Sequence, residues 1–183
     1  MKLIFLDIDG VLNHELFYKS GSREERFKLA NEEKDLPYGC SNIDPEKVSL
    51  LNTLIKETGA KVVVSSSWRT GRSVEDLQAV LDWNGFQGEV IGKTIRLGFK
   101  TPKDVDYNYS VPRGCEIKAW LEMNKSILNA KISKVRYVIL DDDTDFLWWQ
   151  RNNFIHVDSY CGITYNTIHK AKHILNLSDG ESF

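Results

Sequence analysis

Cysteine is sparse in this chain of 183 residues: Cys40, Cys115 and Cys161 are odd in number, widely spaced and nowhere arranged as Cys-x-x-Cys. That argues against a disulfide framework or a zinc site, and the thiols read as reduced, as in a cytoplasmic protein. Charge of one sign is not in excess either. With a formal net charge of -2 and a sequence pI of about 6.1, the bulk field supplies no pull toward nucleic acid or an anionic membrane, so any such contact must be a local patch. No apolar run approaches membrane-spanning length, and the first strand, expected from Lys2, leaves no room for a leader peptide. Repeats, low-complexity tracts and linkers are missing too. What remains is 42% hydrophobic and 27% charged, the make-up of one soluble globular domain, 1–183, able to bury a sizeable core.

What is present begins at once. Lys2 to Leu6 is a short apolar run suited to a strand buried on both faces of a parallel sheet, and it runs out into Asp7-Ile-Asp9-Gly10. Period-two alternation aims Asp7 and Asp9 the same way. Two carboxylates about 4 Å apart repel by roughly 4 kcal/mol at an effective dielectric near 20, so such a pair needs a cation, a shared proton or water. Gly10 lets the backbone turn closely around whatever binds there.

From His14 to Ile43 the chain is polar and irregular, long enough to be a lid or small cap inserted after strand one. His14 itself reads as a surface or hydrogen-bonded residue. Asp44-Pro45-Glu46 starts a helix whose apolar positions Val48, Leu51, Leu54 and Ile55 recur at helical spacing until Gly59. Lys61-Val-Val-Val is a second buried strand running into Ser65, Ser66, Ser67, Trp68 and Arg69. Ser73 opens another helix with Asp76 as its capping partner, and a short third strand is expected within 85–91. The stretch 92–112 loses periodicity and interleaves basic with aromatic residues between Lys93 and Tyr109, a composition that suits either a solvated loop or a substrate-proximal groove tracking phosphates and stacking bases. A helix opens at Arg113, a fourth strand covers Val135 to Leu140, and Asp141, Asp142, Asp143 and Asp145 follow it. Trp148 and Trp149 read as packing residues. Asn153-Phe-Ile-His156-Val157 is a short fifth strand, before a last helix with Ile168, Ala171, Ile174 and Leu175 on one face. The alternation predicts an α/β fold, a three-layer doubly wound parallel sheet that gathers Asp7/Asp9, Ser65/Ser66 and Asp141/Asp142 at one edge.

Taken together, these residues resemble the haloacid dehalogenase (HAD) superfamily of phosphotransferases: Leu6-Asp7-Ile-Asp9-Gly10-Val, the serine run after Val64, a basic residue opening the helix before strand four, and Asp141-Asp142, in that order. The likeness spans roughly residues 2 to 160. Ser67-Trp68-Arg69, Arg113-Gly-Cys-Glu-Ile-Lys118-Ala-Trp and Ile139-Leu-Asp-Asp-Asp further resemble the HAD domains associated with nucleic-acid repair, similar in plan to the phosphatase half of polynucleotide kinase-phosphatases. The resemblance implies a Rossmann-like fold with a small cap and a phosphomonoester hydrolase using Mg2+. It implies Asp7 as nucleophile and Asp9 as general acid and base, with magnesium held by Asp7, the Asp9 carbonyl and Asp141, and with Asp142 or Asp145 orienting a metal water. It further implies Ser66, or Ser65, as the phosphate-binding hydroxyl, Arg113 or Lys118 as the cation, and Gly10, Ser67 and Arg69 as further substrate contacts. Such chemistry suits a phosphomonoester, whose slow hydrolysis demands charge neutralisation first.

The expected substrates are phosphomonoesters, among them nucleotide or polynucleotide ends engaged through Arg69, Arg72 and the 93–109 loop. A phosphatase of sugar phosphates or mononucleotides is the alternative. Non-enzymatic alternatives are a receiver-like module, whose acidic pair would follow strand one rather than strand four, and a silent phosphate-binding module, which would not keep every carboxylate.

Overall fold

The structure, a computed structural model, describes residues 1–32, 36–98, 111–126, 128 and 135–176. Among these residues five parallel strands form one sheet in the order β3-β2-β1-β4-β5. They are β1 Lys2–Leu6, β2 Lys61–Val64, β3 Val90–Lys93, β4 Arg136–Asp141 and β5 Phe154–His156. The chain steps outward from β1 to β3, then returns to the far side of β1 for β4 and β5. The switch point of this α/β sheet therefore lies between β1 and β4, where the carboxyl ends of strands open a crevice.

Side-chain alternation on the strands builds two cores. Ile4, Leu6, Val62, Val64, Val138 and Leu140 pack with helices α3 (Pro45–Thr58), α4 (Val74–Trp83) and α6 (Tyr165–Asn176). Leu3, Phe5, Val63 and Ile139 face the other way, onto Ile117, Trp120 and Leu121 of α5 (Arg113–Met123). Phe5 meets Trp120 edge-on with ring centroids 5.6 Å apart. The caps follow the sequence: the Asp44 side chain accepts the Glu46 amide, Gly59 closes α3 at φ 67°, and Ser73 and Asp76 cap α4 reciprocally.

The segment between β1 and α3 is helical, with α1 at Glu15–Lys19 and α2 at Ser22–Glu32. No apolar stripe organises α2; Phe27 and Leu29 are more than half exposed. It is tied down instead by cations, since Arg23 donates to Asn42 and Arg26 donates to Asn84 while lying over the Trp83 ring. His14 is buried rather than on the surface: its Nδ1 accepts the Phe17 amide at the start of α1, and its Nε2 lies 2.9 Å from Asp44.

Two local expectations need correcting. β3 runs through Lys93 instead of ending by Ile91. Trp148 and Trp149 do not pack: they are 76% and 59% exposed. The inward position of their turn is taken by Gln150, whose side chain binds the Leu147 amide and the Gly114 carbonyl, so the indoles lie outside beneath Arg151 and Lys118.

Candidate active site

Backbone pairing at the strand ends fixes the site. The Asp7 amide donates to Leu140 O and the Ser65 amide to Leu6 O, each at 2.9 Å, so Asp7 sits between the ends of β2 and β4. Carboxylate oxygens of Asp7, Asp141 and Asp142 lie within 4.8 Å of one another. Asp141 is fully buried, and its Oδ2 has no hydrogen-bond partner, while its Oδ1 accepts the Asp143 amide at 3.0 Å. Burial first, then the charge of Asp7, push the Asp141 carboxyl up to about 7. Burial also raises Asp7, against the Ser66 hydroxyl, Arg113 and the Ile8 amide, and it raises Asp142. Three acids held where ionisation is costly call for positive charge. Arg113 brings one guanidinium, 3.8 Å from both Asp7 and Asp141. Among the described residues one cation faces three carboxylates, and an all-oxygen donor set that includes a buried oxygen with no hydrogen-bond partner fits a hard divalent ion such as magnesium.

Gly10 has to be glycine twice over. Its φ is +69°, and a Cβ there would fall 2.2 Å from Asp142 Oδ2. Asp145, by contrast, lies outside the carboxylate cluster: its side chain accepts the Arg113 amide and its carbonyl the Gly114 amide, so it caps α5. The same helix separates the two cations. Arg113, at its first turn, reaches the acids, whereas exposed Lys118 puts its ammonium over Trp149, 5.4 Å from the ring centre.

The serines differ in what they offer. The Ser66 hydroxyl works against the upward push of burial on Asp7 and accepts the Trp68 amide, which ends the strand in a tight turn, Ser67–Arg69. Ser65 acts through its carbonyl, which accepts from Arg69 and Arg113. Arg69 is buried, donates to both Ser65 O and Ser66 O, and pairs with buried Glu116. Glu116 also accepts the Leu97 amide at 2.9 Å. Sequence reading missed this residue, although its place three after Arg113 on the same helix face is a signal.

Asp9 points elsewhere than Asp7. Its Oδ1 accepts from Asn13 Nδ2 at 2.8 Å and Trp68 Nε1 at 2.9 Å, and its Oδ2 accepts from Ser67 at 3.2 Å. Ser67 therefore serves Asp9, as do Asn13 and Trp68, two residues to which the sequence reading gave no role in the site. Asn13 lies one turn after Asp9; Trp68 comes from another strand end, where no local pattern could reveal the contact. Beyond Asp9 opens a groove of about 700 Å³, lined by Tyr18, Tyr38, Gly39, Asn42, Trp68 and Arg72 among others.

Most of the basic-aromatic loop falls on residues 99–110, outside the described residues. Lys93 donates to the Arg69 and Arg72 carbonyls and so braces the turn after β2. Arg96 is exposed. Among the described residues no helix is long and apolar enough to cross a membrane.

A family model described as "HAD domain in Swiss Army Knife RNA repair proteins" matches residues 3–168. Neither the curated proteins nor the solved structures gave a significant match.

Proposed function

Because this chain belongs to the HAD domain family of Swiss Army Knife RNA repair proteins, we propose that it is a magnesium-dependent phosphomonoester hydrolase working through an aspartyl-phosphate on nucleotide or polynucleotide terminal phosphates. The family supports a HAD-type phosphatase in general; the finer assignment is carried by one observation. Acids from the ends of β1 and β4, Asp7, Asp141 and Asp142, share one small volume with a buried oxygen that has no hydrogen-bond partner and, among the described residues, one guanidinium beside them.

In this reading an Asp7 carboxylate oxygen attacks phosphorus while the ester P–O bond breaks, and the leaving oxygen takes a proton from Asp9. Water then attacks phosphorus and gives a proton to Asp9 while the P–O bond to Asp7 breaks and its carboxylate is restored, so ester plus water yields alcohol plus inorganic phosphate. Asn13, Ser67 and Trp68 hold the Asp9 side chain in place for both transfers. Arg113 neutralises the equatorial oxygens, the Ser66 hydroxyl binds the phosphoryl group, and the amides of 8–10 supply further donors. Asp7, Asp141, Asp142 and the Asp9 carbonyl would hold magnesium, which when bound supplies the remaining neutralisation of a dianionic substrate. Gly10 lets Asp142 approach. We take the whole chain as one domain, 14–43 as its cap and 92–112 as a loop near the substrate.

The test is phosphate release from a panel of phosphomonoesters, with and without magnesium, by the wild type and Asp7→Asn. Magnesium-dependent release by the wild type that is lost in the variant supports the assignment. Equal release by both sinks it.

A further inference from the structure

The groove beside Asp9 has the chemistry of a nucleoside seat. Its volume of about 700 Å³ is within the range of small-ligand pockets. One wall is the indole of Trp68, which also donates to Asp9. Gly39, at φ +84°, lets the cap segment lie against that ring, since a Cβ there would come within 3.2 Å of it. The other aromatic walls come from that segment. Tyr18 feels the charge of Asp9, and burial together with that charge raises its phenol. Tyr38 stands 88% exposed at the rim. Arg72 joins the two sides: it donates to the Trp68 and Tyr38 carbonyls, and its guanidinium lies 4.8 Å from the Trp68 ring centre and 5.9 Å from that of Tyr38.

Position decides which part of a substrate belongs here. Asp9 is the group that meets the leaving oxygen in the reaction proposed above, and its carboxylate faces the groove, while Asp7, Arg113 and Asp141 lie off it. Whatever fills the groove is therefore the alcohol that departs, not the phosphoryl group. Three aromatic rings and one guanidinium suit a flat base joined to a sugar, because every base offers a π-face for stacking and Arg adds a cation-π contact. A small polyol would leave those rings uncovered. Tyr38 at the rim leaves room for a strand to continue outward.

Resting on the phosphatase reading, we propose that the groove between the cap segment and the Trp68 turn binds the leaving nucleoside, its base stacked among Trp68, Tyr38 and Tyr18. Stacking reads the face of a base and not its edge, so the presence of a base matters more than which base it is.

Two measurements test this separately from the chemistry. Binding comes first: AMP titrated into the full chain quenches tryptophan fluorescence, and the Trp68→Phe variant loses most of that quench. A quench unchanged in Trp68→Phe, or no binding of AMP, overturns the proposal whatever the enzyme hydrolyses. Turnover comes second, comparing glycerol phosphate with 3′- and 5′-mononucleotides and with trinucleotides phosphorylated at either end. The nucleoside esters show a kcat/KM at least tenfold above that of glycerol phosphate, and Tyr38→Ala cuts this ratio about tenfold through KM. Asp7-dependent hydrolysis of every ester at one rate overturns the groove and leaves the phosphatase standing. Preference for one trinucleotide over its mononucleotide supports the groove and marks a strand end as the natural source.

Discussion

At the scale of single residues, Asp141 concentrates the argument. Burial and the neighbouring Asp7 hold its carboxyl near 7, against an ordinary value of 3.8. A carboxyl raised on folding stabilises the fold while it stays protonated, and that contribution is lost as pH rises from about 4 through about 7. The metal-free protein is therefore expected to lose stability across that window, and the raised Asp7 acts in the same direction. Asp141→Asn should be more stable than the wild type in chelator at pH 8, by on the order of 1–3 kcal/mol, and nearly equal at pH 4.5. Urea unfolding at the two pH values checks this; a wild type as stable as the variant at pH 8 would show that the site tolerates its charges without a metal. Gly10 gives a second expectation. Alanine there must hold φ +69° and displace the Asp142 carboxylate, so magnesium affinity, measured by titration calorimetry, should fall about tenfold, roughly 1.4 kcal/mol. Unchanged affinity would remove Asp142 from the ligand set.

At the scale of elements, α5 is the part that aims a charge. Its first turn carries Arg113, its start is capped by Asp145, and Gly114 is packed so closely that a Cβ would lie 2.4 Å from Gln150 Oε1 and 2.6 Å from the Leu147 amide nitrogen. Gly114→Ala should cost about 1–3 kcal/mol by overpacking and lower turnover, because α5 must shift and take Arg113 with it. Asp145→Ala and Asp142→Ala separate two roles that adjacent acids in a sequence cannot. The first should cost about 1 kcal/mol of stability as a lost cap and leave magnesium affinity intact, while the second should weaken the metal. The reverse pattern would restore Asp145 as the metal partner. Strands, caps and the Asp7/Asp141 juxtaposition were legible because they follow local rules: apolar runs, Asp-Pro and Ser-x-x-Asp caps, and the ordering of strand ends in a parallel sheet. Arg69 and Trp68 were not. Whether a guanidinium faces a ligand or a buried Glu116 depends on a residue 47 positions away, and nothing in Ser-Trp-Arg encodes that partner. Trp148 and Trp149 failed for a related reason, since the inward place in their turn went to a glutamine that could satisfy two buried backbone groups.

At the scale of the whole molecule, the near-neutral charge that began as an absence becomes a constraint on how a polynucleotide would be held. The net charge is -2, so the bulk field adds nothing to the counterion-releasing contacts that dominate ordinary nucleic-acid affinity. Of the described cations near the site, Arg69 is buried against Glu116, Lys93 lies behind the turn after β2, and Arg113 stands among the acids, where the reacting phosphate alone would meet it. Binding of a strand end must then rest on the terminal phosphate and on stacking, with Arg72 as the groove's own cation. Each neutralised phosphate of a single strand contributes about -0.7 to the slope of log K against log salt. For one or two phosphates the slope should lie between about -0.7 and -1.4. Fluorescence anisotropy of a 3′-phosphorylated oligonucleotide on Asp7→Asn, from low to moderate salt, measures it directly. Removing the terminal phosphate should abolish most of the affinity, and lengthening the oligonucleotide should add little. A slope of about -3 or steeper, growing with length, would require four or more phosphate contacts. It would transfer the weight of recognition from the groove to Arg96, Lys100 and Lys103 of the 92–112 loop.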